Sequence, residues 1–180
     1  RETRLGGVRC LEAGDPGAPT LVYAHGGGHV LGSPEVAIPI TARLAADLHV
    51  VSVDYRLAPE HPFPAAVDDL VSVCAAAAAA GPFCLGGDSA GAGIALAAAL
   101  RLGAEGRPRP QALALLCPFV RQLPSSPFSR AYVQGAPLDD PGVSPLLAGL
   151  RGLPPVFIQT GTADHLHEQA VSLEIGRAHV

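Results

Sequence analysis

Apolar residues along this chain are gathered into short dense blocks separated by glycine, proline and acidic residues. Five blocks, at residues 21–25, 50–54, 83–87, 112–117 and 156–160, have strand length and are bounded by turn-forming residues. They predict buried strands of a mostly parallel sheet. Helical patterns lie between them. Residues 36–46 repeat Val36, Ile40 and Leu44 on one face. Residues 65–80 follow Pro64 and carry Asp68 and Asp69 in the first turns, where the helix dipole favours acids. Residues 90–102 are rich in Ala and Leu. Strand and helix alternate, which predicts an α/β domain of three layers with ligands at the carboxyl ends of the strands. Residues 118–155 hold eight prolines and predict neither helix nor strand. A lid, an irregular crossover or a shortened region would each produce such a stretch.

Composition narrows the classes. The chain has 180 residues, 48% apolar and 16% charged, which suffices for one domain with a sizeable core. A disordered tail, a collagen and a disulfide mini-protein are excluded. The net charge of −4 and the absence of any basic run argue against nucleic acid or an anionic membrane as partner. All twelve basic residues are Arg, a mark of a GC-rich coding sequence. Cys10, Cys74, Cys84 and Cys117 form no C-x-x-C pair, so neither a zinc site nor a redox motif is indicated, and free thiols are expected. No charged segment followed by an apolar run opens the chain, and the alanine-rich stretch 71–80 is too short to span a bilayer. A cytoplasmic protein without a membrane span is expected.

Two glycine-rich segments carry the candidate chemistry. Gly87-Asp88-Ser89-Ala90-Gly91 is a G-x-S-x-G pentapeptide between a predicted strand and a predicted helix, the context of a nucleophile elbow. The flanking residues must be nearly free of side chain because strand and helix approach closely there. His25-Gly26-Gly27-Gly28 follows the first long strand, 64 residues before Ser89. Consecutive glycines let backbone N–H groups point into a site, and an HGGG-type segment with the N–H after the nucleophile is an oxyanion-hole arrangement. Gly27 and Gly28 are the favoured donors, Gly26 shapes the turn and Ala90 supplies the third N–H. A phosphate loop is the alternative, but the P-loop Lys-Ser/Thr is missing.

These segments, with Asp54-Tyr55-Arg56-Leu57-Ala58-Pro59-Glu60-His61-Pro62-Phe63-Pro64 between them, resemble the hormone-sensitive-lipase family of α/β-hydrolases from about residue 20 to about 170. The resemblance implies an α/β-hydrolase fold, a serine nucleophile, no cofactor, and hydrolysis of small-molecule carboxylic esters with short to medium acyl chains. Arg56 and Glu60 are expected to form an ion pair or loop anchor beside the site, and His25 to hold the glycine loop.

In this fold the triad runs Ser, Asp or Glu, then His. Gly161-Thr162-Ala163-Asp164-His165-Leu166 resembles the family's Asp-x-Leu segment, which places Asp164 as the acid, with Glu168 as the fallback. The histidine is expected one helix and one strand later. His165 and His167 share the acid's own loop, and His179 has no strand before it. Residues 174–180 read as the translation of a sequencing adapter, which sets the expectation of an incomplete hydrolase domain at 1–173, without N-terminal cap helices, the last strand and helix, or the base. Two alternatives to an ester hydrolase are a small-molecule-binding protein that lacks the histidine, and an amidase or peptidase of the same fold.

Overall fold

The computed structural model describes residues 1–178. Seven strands form one sheet: β1 (Glu2–Leu5), β2 (Val8–Ala13), β3 (Thr20–Ala24), β4 (His49–Val53), β5 (Phe83–Asp88), β6 (Leu113–Leu116) and β7 (Val156–Gln159). Their spatial order is β1-β2-β4-β3-β5-β6-β7. Strands β4, β3, β5, β6 and β7 run parallel to one another, whereas β2 pairs antiparallel with both β1 and β4. Helices α1 (Ile38–Leu44), α2 (Ala65–Ala80), α3 (Ala90–Ala104), α4 (Pro127–Val133) and α5 (His167–Ala178) complete the domain. This is an α/β fold with a mostly parallel sheet, as the alternation of strand and helix predicts, and an α/β-hydrolase fold, as the family resemblance implies.

The pleat sorts the core into two faces. Val22 and Ala24 of β3 join Leu70, Cys74, Ile94 and Leu96 beneath α2 and α3. Leu21 and Tyr23 point the other way and meet Ile40 and Leu44 of α1. Each fully buried aliphatic side chain contributes about 1.5–3 kcal/mol by leaving water. Among the described residues no helix is long and apolar enough to cross a membrane.

Three segments differ from the expectation. The first twenty residues are not featureless: β1 and β2 form a hairpin around Gly6 (φ 57°) and Gly7 (φ 84°). Both glycines adopt the positive φ that a two-residue hairpin loop demands. Helix α1 starts two residues late, with Pro39 in its first turn, and Val36 lies outside it, 72% exposed. Residues 118–155 are not structureless. Helix α4 begins at Ser126, whose hydroxyl accepts the Ser129 N–H at 3.4 Å, and a 3-10 turn covers Pro145–Leu147. Val120, Tyr132, Val143 and Leu150 are buried there, so the segment packs like core.

Candidate active site

The elbow forms where β5 runs straight into α3. Ser89 is the single residue between them, at φ 52° and ψ −117°. A side-chain-bearing residue avoids that region unless its surroundings hold it there. The holding is visible. Ser89 donates its N–H to the Leu116 carbonyl at 2.9 Å, and its own carbonyl accepts the Phe119 N–H at 3.0 Å. A Cβ on Gly87 or Gly91 would overlap the Ala24 carbonyl of the neighbouring strand. Only glycine permits the approach. Among the described residues no histidine hydrogen-bonds the Ser89 hydroxyl.

The glycine loop is laid against this elbow by the residue before the serine. Gly26 donates its N–H to Asp88 Oδ1 at 2.9 Å, and the Tyr23 hydroxyl donates to the same oxygen at 2.8 Å. Burial, followed by the neighbouring Asp88 charge, pushes the Tyr23 phenol well above its ordinary range. Gly27 (φ 129°) and Gly28 (φ 62°) then turn the chain. Among the described residues none accepts a hydrogen bond from the N–H groups of Gly27, Gly28 or Ala90.

Two histidines brace the loop from within. His25 stacks on Tyr55 with ring centroids 4.3 Å apart, and its Nδ1 lies 2.7 Å from the Gly26 carbonyl. The Tyr55 hydroxyl donates to the His25 carbonyl at 2.6 Å. His29 stacks on Tyr132 at 3.8 Å, and its Nε2 lies 3.1 Å from Gln122 Nε2. Burial lowers the pKa of both, that of His29 to about 3.

Asp164 follows β7 at the same end of the sheet. Its carboxylate accepts the Leu166 N–H at 2.8 Å, and the neighbouring Cys117 thiol, followed by that N–H, holds its pKa below the usual range. Cys117 itself ends β6 and donates its N–H to the Gln159 carbonyl at 2.7 Å. Contacts thus run from Gly26 through Asp88 and Ser89 to the exit of β6, where Cys117 bonds Gln159 of β7, the strand that leads to Asp164. His165 Nδ1 is 3.5 Å from Asp164 Oδ1, and that side chain is 87% exposed. Glu168 is exposed in the first turn of α5, next to His167. His179 lies outside the described residues.

Two clefts open beside these loops. One of about 450 Å³ is lined by His25, Gly26, Gly27, Leu31, Ile40 and Asp88. A second, of about 400 Å³, lies between Gln122, Leu123, Leu146, His165 and Gln169. Among the described residues no cluster of His, Cys, Asp and Glu could hold a metal ion.

The chain matches the alpha/beta hydrolase fold family over residues 21–175. An acetyl-hydrolase of Streptomyces hygroscopicus is 36% identical, with 86% of this chain and 60% of that protein aligned. An esterase of Acinetobacter venetianus is 33% identical over 92% of this chain and 64% of its own length. Among solved structures, the hormone-sensitive-lipase homologue EstE7 from a metagenome library superposes with a TM-score of 0.93 at 36% identity, over 99% of this chain and 71% of that one. The chain belongs to the hormone-sensitive-lipase family of α/β-hydrolases. It spans about 60% of the length of these curated relatives.

Several residues of this candidate site were not singled out by sequence. Asp88 and Tyr23 stood inside segments read for other reasons, and their carboxylate–phenol bond has no signature in spacing. Arg56 does not pair with Glu60, which is exposed. Arg56 clamps Asp69 of α2, with Nη2–Oδ1 at 2.8 Å, because the helix turns Asp69 inward. Gln169 ties α5 to the exit of β6, its Oε1 accepting the Val120 and Arg121 N–H groups at 2.9 and 2.8 Å.

Proposed function

We propose that the protein hydrolyses small-molecule carboxylic esters, of short to medium acyl chain, through an acyl-enzyme on Ser89. In this reading the Ser89 hydroxyl attacks the ester carbonyl carbon. The developing oxyanion is received by the N–H groups of Gly27, Gly28 and Ala90, with Gly26 setting the turn. A histidine outside the described residues takes the serine proton and passes it to the leaving alcohol. Asp164 holds that histidine in the correct tautomer. Water then attacks the acyl carbonyl with the same base, releasing the carboxylic acid and restoring the serine. No cofactor enters any step.

The observation that carries the reading is the unusual backbone of Ser89, held beside a glycine loop whose Gly27 and Gly28 N–H groups have no partner among the described residues. Relatives named as acetyl-hydrolase and esterase support the substrate class. The test is turnover of p-nitrophenyl acetate by the protein as its source gene encodes it. Loss of turnover in Ser89→Ala is expected, down to the residual rate that binding and oxyanion donors supply. Undiminished turnover in that variant would overturn the reading.

A further inference from the structure

Helix α4 lies across the glycine loop and is fastened there by buried groups. Ser129 and Tyr132, three residues apart on one face, are both buried. Tyr132 stacks on His29, the residue after Gly28. Ser129 donates its hydroxyl proton to Gln122 Oε1 at 2.9 Å, and the Gln122 amide reaches His29 Nε2 at 3.1 Å. The Tyr132 carbonyl accepts the Phe63 N–H at 2.8 Å. A helix held at so many points to the loop it covers acts as a fixed wall.

Phe128 is the large apolar residue of α4 that this packing leaves exposed. Its side chain is an apolar ring in a residue 44% exposed, yet it stands against Gly28. A Cβ placed on Gly28 would meet Phe128 Cγ and Cδ1 at 2.9 Å. The ring therefore occupies the space directly beside the Gly28 Cα, and Gly28 carries one of the N–H groups assigned to the oxyanion. A substrate whose carbonyl oxygen is held by Gly28 would have this ring as a neighbour.

Resting on the ester-hydrolase reading, we propose that Phe128 is a specificity-determining residue that limits the enzyme to esters with a short alkyl arm. The wall around Phe128 is secured by Ser129, Tyr132 and Gln122, so removal of the ring leaves room that the helix does not collapse to fill.

The test compares kcat/KM across two series, p-nitrophenyl esters from acetate to octanoate and acetate esters of alcohols from ethanol to octanol. The enzyme is taken in the length its gene encodes. Phe128→Ala is expected to raise the long-to-short ratio by roughly tenfold or more in one series, and that series names the arm that meets the ring. Phe128→Trp, which keeps the apolar wall and thickens it, is expected to lower the same ratio. Ratios that stay within about twofold of the native enzyme in both variants and both series would overturn the proposal. Ser89→Ala separates the two levels. If it abolishes turnover while the ratios stay flat, only the role of Phe128 fails. If it leaves turnover intact, or if the native enzyme cleaves no ester in either series, the ester-hydrolase reading falls and takes this proposal with it.

Discussion

Gly26 donates its N–H to Asp88 at 2.9 Å, and Asp88 is the residue that precedes Ser89. One carboxylate thus sets the distance between the proposed oxyanion donors and the proposed nucleophile. Tyr23 supplies its second hydrogen bond from inside the sheet.

Asp88→Ala should release the glycine loop. Because the misplaced groups act in the transition state, kcat should fall by roughly ten- to a thousand-fold with KM little changed. Asp88→Asn keeps an oxygen for the Gly26 N–H and should retain an intermediate rate. Steady-state kinetics on both variants check this, and a loss borne mainly by KM would contradict it.

Gly91→Ala tests the close approach of α3 to β3. The new Cβ would strike the Ala24 and His25 carbonyls, which belong to the sheet and the loop and cannot swing aside. A loss of about 1–3 kcal/mol or more is expected, read as a lower urea midpoint at unchanged slope. Gly149→Ala is the control. Its Cβ meets nothing within 4 Å and its φ is not positive, so its effect should stay within about 0.5 kcal/mol.

His29 predicts a pH dependence of stability. Burial lowers its pKa to about 3 in the folded state, against an ordinary value of about 6.5 when unfolded. Between these values the unfolded chain binds the extra proton, so stability is fully present above about pH 6.5 and is lost as pH falls towards 3. The slope from this group approaches about 1.4 kcal/mol per pH unit. Urea midpoints at pH 7 and pH 5 should therefore differ, and His29→Gln, although weaker at pH 7, should narrow the difference. An equal difference in both proteins would contradict the assignment.

How much of this was readable in the chain depends on where each signal sits. The runs at β3, β4 and β5 are buried on both faces and announce themselves as unbroken apolar blocks. Helix α2 follows Pro64 with acids in its first turns, and its limits come out as expected. The β1–β2 hairpin was hidden because both strands are largely half-exposed, and Arg4, Arg9 and Glu12 break the apolar run. Helix α4 has only seven residues, too few to hold by propensity; its stability comes from His29 and Gln122, distant in sequence. The residue types of the candidate site were legible as motifs, Ser89 between glycines and Gly26 to Gly28 after a strand. The bonds that arrange them, Tyr23 and Gly26 to Asp88 and Ser89 to Leu116, join segments far apart in the chain and leave no periodic trace.

The proposed function stands on Ser89 as the nucleophile. Treatment with a fluorophosphonate, followed by peptide mass spectrometry, tests it most directly. A phosphonyl adduct on the peptide containing Ser89, absent in Ser89→Ala and suppressed by prior incubation with p-nitrophenyl acetate, is the expected result. An unlabelled Ser89 in folded protein, or an adduct at another residue, would contradict it.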